Sequence, residues 1–239
     1  MTLAQLQDML ANPAVARRNP ALDEAHPASG KTVLSLFDYT GAWSAPYLEA
    51  GANVVQLDGK HGVDILDIDC NWLSENVLQG CDTVDAILAA PPCTDFAASG
   101  ARHWRKKDNE STLPGFQKQV DVSLELVRQV LRCVEYLRPD FWAMENPVGR
   151  LHRLLPEVGD PWYWQPFWYG DPWSKKTALY GNFNRDLPRN EVKPIQHKWG
   201  SWMMRLGGTS RKTKELRSAT PLGFAAAFFA ANCWKERKL

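Results

Sequence analysis

Four short apolar runs, TVLSLF (32–37), NVVQLD (53–58), VDAILAA (84–90) and FWAMEN (141–146), alternate with stretches of helical character. AWSAPYLEAGA (42–52) carries a helical face and closes on Gly51, a helix-ending glycine. NWLSENVLQG (71–80) suits a short helix. Residues 118–137 place Val120, Leu124, Val127, Leu131, Val134 and Leu137 at steps of three and four, the mark of a helix packed on a sheet. Strands alternating with helices demand crossover connections. They predict an α/β fold with a mostly parallel sheet and helices on both faces. Ligands of such sheets gather at the carboxyl ends of the strands. Asp58, Cys93 and Glu145 all fall there.

A chain of 239 residues buries one sizeable core. Its net charge of +1 points to no partner class, and its 11 tryptophans are the one compositional oddity. The five cysteines (70, 81, 93, 133, 233) show no CxxC spacing and the five histidines supply no zinc pattern, so no metal is expected. Scattered, odd-numbered cysteines read as unpaired thiols in a reducing compartment. No apolar run reaches membrane-spanning length and the N-terminus has no signal-peptide core, so a cytoplasmic protein is expected. DEAH (23–26) and GKT (30–32) are chance: no glycine precedes Gly30 at the phosphate-loop distance, and no strand feeds it.

Four segments follow from composition and pattern. Residues 1–31 form an amphipathic helix (3–18) and a Pro/Ala-rich linker, and 32–181 form the main α/β domain. Residues 182–217 form a small basic segment, with nine Lys/Arg against three acids between 185 and 217. Residues 218–239 hold a final helix with Thr220 as N-cap and Pro221 at its first position, packing back on the domain.

The chemistry centres on APPCTDFAASG (90–100). Two prolines fix φ at successive residues and hold Cys93 stiffly at a strand end. A thiolate is a strong nucleophile, but a free thiol, with pKa near ~8.5, is mostly protonated at neutral pH. PPCTDFAASG resembles the catalytic motif of the cytosine-C5 DNA methyltransferases. RPDFWAMENPVG (138–149) resembles that family's Glu-Asn motif, and VLSLFDYTGAWSAPYLEAGANVVQLD (33–58) resembles its cofactor motif. The three occur in the family's order over residues 33–150, and YGDPWSKKTALYG (169–181) resembles a weak form of its Gln-x-Arg-x-Arg strand.

The resemblance implies a Rossmann-like, class I S-adenosylmethionine-dependent methyltransferase with a reduced small domain. It implies transfer of a methyl group from S-adenosyl-L-methionine to C5 of cytosine in double-stranded DNA. Cys93 adds to C6, Glu145 serves N3, Asn146 orients the loop holding Glu145, and Lys175 helps hold the substrate. Phe37, Asp38, Tyr39, Thr40, Gly41, Trp43, Asp58, Asp64 and Pro91 are implied at the cofactor, with Asp67 a lesser alternative to Asp64. Arg102, Arg105, Lys106 and Lys107, on a segment resembling the family's catalytic loop, are implied at DNA phosphates, as are Arg205, Arg211 and Lys212 of the basic segment.

Three departures stand out. Tyr39 and Ala42 replace glycines of the cofactor turn, Pro147 replaces the family's Val, and only Lys175 survives of the basic pair. The interval 182–217 is too short for a separate recognition domain, which implies loose sequence preference or an accessory protein. A compact chain of this kind suits a phage or restriction-modification enzyme. The alternatives are the same Cys93 chemistry on RNA, a nucleotide or another transferred group, and a catalytically silent nucleic-acid-binding relative.

Overall fold

The computed structural model describes residues 15–17, 26–78, 83–109, 118–197, 200–201 and 217–234. The strands are β1 (Val15–Arg17), β2 (Thr32–Leu36), β3 (Asn53–Leu57), β4 (Ala86–Ala89), β5 (Phe141–Pro147), β6 (Trp162–Trp164), β7 (Thr177–Asn182), β8 (Gln196–His197) and β9 (Gly200–Ser201). The helices are α1 (Ala45–Glu49), α2 (Cys70–Asn76), α3 (Trp104–Lys107), α4 (Gln119–Leu137), α5 (Leu151–Leu154) and α6 (Leu222–Asn232).

The first seven strands form one sheet in the order β1-β3-β2-β4-β5-β7-β6. The four expected apolar runs supply its parallel centre, β3-β2-β4-β5. Antiparallel strands flank that centre, β1 beside β3, and β7 between β5 and β6. The fold is Rossmann-like α/β. Residues 15–17, expected in a helix, pair instead with Val54–Gln56 as an edge strand; the rest of the expected helix lies outside the described residues. Pro13 interrupts the helical pattern just upstream, β-branched Val15 favours an extended chain, and β3 offers an edge to pair with.

Alternation along the strands sends side chains to two cores. Leu34, Leu36, Val55, Leu57, Ile87, Ala89 and Met144 face one side, under α2 and α4. Val33, Val54, Ala86, Leu88, Ala143 and Leu179 face the other, under α1 and α6. In α4 the fully covered stripe runs through Val120, Leu124, Val127, Val130 and Cys133, while Leu131, Val134 and Leu137 pack at its margin. The covered thiol of Cys133 is pushed by burial up to about 12.

α1 ends as expected, with Gly51 at φ +91° just beyond the last turn. α6 starts one residue later than expected: Pro221 occupies the cap and Thr220 stands outside the helix. The ring of Phe224 stacks on Trp164 at 3.6 Å, and Trp43 meets Phe228 edge-on at 5.5 Å. Gly223 lets α6 sit this close, since a Cβ there falls 1.9 Å from the Tyr169 carbonyl oxygen. Within the basic segment, Asn190, Val192 and Ile195 hydrogen-bond back to Trp168, Phe167 and Pro172. Arg185 and Arg189 lie over the rings of Phe183 and Trp168.

Candidate active site

β4 runs directly into Pro91, Pro92 and Cys93. The Cys93 carbonyl oxygen accepts from the amides of Phe96 and Ala97, both at 3.0 Å, so the chain turns sharply after the thiol. It then docks on the loop leaving β5. The Ala98 amide donates to Val148 O at 2.9 Å, and the Arg150 amide to Phe96 O at 3.0 Å. Gly149 permits the contact: a Cβ there lies 1.9 Å from Phe96 O. The side chain of Asn146, fully buried, reaches the Pro91 carbonyl at 3.4 Å. It therefore ties the strand end that carries Glu145 to the loop that carries the thiol.

The following loop is anchored by charge. Arg150, almost fully buried, donates to Asp95 O at 3.0 Å and pairs with both carboxylate oxygens of Asp108 at 2.7 and 2.8 Å. Its guanidinium also lies 4.6 Å over the Trp104 ring. Lys107 pairs with Asp95 at 2.7 Å and donates to Thr94 O at 2.7 Å. Lys107, expected at a phosphate, is thus an internal tie. Arg102, Arg105 and Lys106 lie on the exposed side of the same turn, with Arg102 donating to His103 at 3.0 Å. Arg205, Arg211 and Lys212 lie outside the described residues.

Cys93 and Glu145 line one cleft of about 1370 Å³, together with Lys175, Arg217 and Thr220. That is ample for more than one drug-sized ligand. The Lys175 ammonium stands 3.6 Å from the Glu145 carboxylate and donates to the Arg217 carbonyl at 3.2 Å. Burial pushes the Cys93 thiol above its ordinary range, and the Glu145 charge pushes the same way; Lys175 and Arg217 oppose them.

The other half of the cleft lies at the ends of β2 and β3. Phe37, at φ +59°, and Gly41, at φ +65°, shape the turn after β2. Asp38 is buried in it, and its carboxylate accepts from Ser35 Oγ at 3.0 Å, Ser44 Oγ at 3.1 Å and Ser44 N at 3.3 Å. Burial raises its pKa, and those donors hold the rise back. Asp38 therefore organises the turn, although it also borders the cleft. Phe37, Tyr39, Thr40, Asp58, Asp64 and Pro91 line the cleft. Asp58 and Asp64 each accept a local amide, from Lys60 at 2.8 Å and Leu66 at 3.0 Å. The Tyr39 ring meets the His61 ring at 5.0 Å, and the Lys60 ammonium stands 4.3 Å above it. Two expected residues stand apart: Trp43 is fully buried among Phe224 and Phe228, and Gly41 is buried beneath the wall. Trp43 follows the turn by two residues, and the start of α1 carries it to the opposite face of the sheet.

Sequence reasoning missed Gly149, Arg150 and Asp95, which fasten the loop, and Arg217, which enters the cleft. ENPVGR carried a partial signal for the first two, a small residue and a cation directly after the polar strand end. Arg217 carried none, being one cation of a basic stretch. Among the described residues, no three His, Cys, Asp or Glu side chains cluster as a metal site. No helix among them is long and apolar enough to cross a membrane.

No family model matches the chain, and no curated protein matches it. Solved structures similar to it include a chain described as a DNA modification methyltransferase encoded within a prophage (E. coli), at 16% identity and a TM-score of 0.46, covering 69% of this chain and 52% of that one. Another is the Entamoeba histolytica methyltransferase EhMeth, at 12% identity and a TM-score of 0.43, covering 76% of this chain and 61% of that one. The chain spans less than two thirds of the length of either.

Proposed function

We propose that this protein transfers a methyl group from S-adenosyl-L-methionine to C5 of cytosine in DNA. The observation that carries the reading is the meeting of Cys93 and Glu145 in one cleft, from two parallel strand ends. Cytosine C5 is too weak a nucleophile to take a methyl group unaided. Addition of the Cys93 sulfur to C6, with loss of the thiol proton, moves electron density to C5. Charge then builds at N3, where Glu145 shares or supplies a proton. Asn146, through Pro91, holds the sulfur in line, and Lys175 keeps the Glu145 carboxyl turned into the cleft. Once C5 carries the methyl group, a base takes the C5 proton, the Cys93 sulfur departs and the N3 proton returns to Glu145, which restores the aromatic ring.

The cofactor half of the cleft fits an adenosyl ligand. It opens at the switch point beside β2, where β3 and β4 lie on opposite sides. Asp58, at the end of β3, has one carboxylate oxygen engaged by the Lys60 amide and a second for ribose hydroxyls. Phe37 and Tyr39 offer aromatic surface, and Asp64 stands at the rim for an adenine amine. When bound, S-adenosylmethionine supplies an electrophilic methyl group. A duplex substrate must extrude its cytosine into such a cleft; the exposure of Arg102, Arg105 and Lys106 on the turn after Cys93 supports a role for them at its backbone.

The test is direct. Protein is incubated with methyl-labelled S-adenosylmethionine and genomic DNA or tRNA, and the nucleic acid is digested to nucleosides. Label in 5-methylcytosine from DNA is the expected result. DNA containing 5-fluorocytosine should trap a covalent complex that Cys93→Ser abolishes. Label from RNA alone, or turnover by Cys93→Ser, refutes the proposal.

A further inference from the structure

Strands β2 and β3 are parallel neighbours, and Leu36 is in register with Leu57, so the turns that follow them rise side by side. Two hydrogen bonds join these turns at their base. The Phe37 amide donates to Leu57 O at 2.8 Å, and the side-chain amide of Gln56, fully buried, donates to the Asp38 carbonyl. A third connection lies further out, where Tyr39 is half-buried and Lys60 exposed. The Tyr39 ring leaves the first turn and lies against the second, 5.0 Å from the His61 ring and 4.3 Å from the Lys60 ammonium. Tyr39 and Lys60 both line the cleft.

The contact reaches Asp58. The backbone amide of Lys60 donates to Asp58 Oδ1 at 2.8 Å, and the next amide, of His61, donates to Asp58 O at 2.8 Å. Residues 58–62 are therefore one tight turn, closed by Gly62 at φ +86°. The residue whose amide orients the Asp58 carboxylate is the one whose side chain rests on Tyr39. An ammonium is drawn to a ring face electrostatically, so the contact holds at an exposed site where apolar packing alone is weak.

We propose that Tyr39 and Lys60 are positioning residues: their contact clasps the two turns together and, through the Lys60 amide, holds the second oxygen of the Asp58 carboxylate toward the ribose hydroxyls of an adenosyl ligand. The inference rests on the reading of this half of the cleft as an adenosyl site. It makes Tyr39 part of the wall that fixes Asp58, so an aromatic ring at position 39 and a cation at position 60 set affinity together.

The test needs no DNA. Binding is measured by isothermal titration calorimetry with S-adenosylhomocysteine and with its 2′,3′-dideoxy analogue. Lys60→Met and Tyr39→Leu should each weaken binding of S-adenosylhomocysteine roughly threefold to tenfold, the weight of one exposed cation–ring contact. The double variant should lose no more than the larger single loss, since both changes remove the same contact. Tyr39→Phe, which keeps the ring, should bind as wild type does. None of these changes should weaken the dideoxy analogue, which offers Asp58 no hydroxyl; its unchanged affinity also shows that the variants are folded. Wild-type affinity in Lys60→Met overturns the proposal and leaves the cofactor reading standing. Equal losses for the two ligands overturn it as well, since they place the effect outside Asp58. The expected binding pattern, with no methylation of DNA by the wild-type protein, refutes the proposed reaction and leaves the clasp standing. A wild-type protein that binds neither ligand overturns both.

Discussion

Replacing Gly149 by alanine tests how the thiol loop is held. The added Cβ would lie 1.9 Å from the Phe96 carbonyl oxygen, 2.7 Å from its carbonyl carbon and 3.2 Å from the Ala97 Cα, where ordinary contact begins at 3.4 Å. All three atoms are backbone, so no side chain can swing away. The neighbours are fixed as well: Phe96 is fully buried, and the Ala98–Val148 and Arg150–Phe96 hydrogen bonds flank the contact. Overpacking of this kind costs about 1–3 kcal/mol or more. Weakening two backbone hydrogen bonds adds about 1 kcal/mol each. The expected loss is therefore about 3–5 kcal/mol, or roughly 6–20 °C in Tm for a chain of this size. Gly59→Ala is the matched control, because nothing lies within 4 Å of its Cβ position; its Tm should stay within about 2 °C of wild type. The assay is thermal unfolding followed by circular dichroism. A Gly149→Ala protein melting alongside the control would falsify the claim that the strand-end loops are pressed together at this point.

Two further outcomes follow from packing and charge. Phe224→Ala removes a fully buried ring stacked on Trp164 and should cost about 3–5 kcal/mol in denaturant unfolding; a loss under about 1 kcal/mol would mean that α6 is not seated on this face. The Arg150 guanidinium holds the Asp108 carboxyl below its ordinary range. A lowered acid stabilises the fold above the ordinary carboxylate pKa, and that contribution is lost as pH falls through the lowered value. Asp108 is 37% exposed, so solvent screening keeps the contribution to about 1 kcal/mol at most. Asp108→Asn should therefore lower Tm by about 1–3 °C at neutral pH and by less in acid; an equal drop at both pH values counts against the pair.

The parallel centre of the sheet was legible because four apolar runs ended in polar or turn-forming residues at regular intervals. The antiparallel pairing of β7 beside β5 was not, since strand direction leaves no mark in TALYGN. The thiol and its partner acid were legible as local patterns, Pro-Pro-Cys and Glu-Asn. The functions of their supports were not. Lys107 and Arg102 belong to one basic run, yet Lys107 finds Asp95 while Arg102 stays exposed. Asn146 adjoins Glu145 in sequence, but alternation along β5 sends adjacent side chains to opposite faces, and its amide reaches the Pro91 carbonyl, a partner that sequence does not reveal. Trp43 is close in sequence to the turn after β2, yet its ring packs in the aromatic core with Phe224 and Phe228, a long-range contact that sequence proximity does not show.

The wall residues Arg217 to Thr220 come immediately before the helix that stacks on Trp164. Until residues 222–232 are seated, the cleft that Cys93 and Glu145 line lacks its wall at Arg217, Ser218 and Thr220, and Lys175 lacks the carbonyl that it grips. Closure of the cleft on that side is in this way coupled to the seating of α6 against the aromatic core.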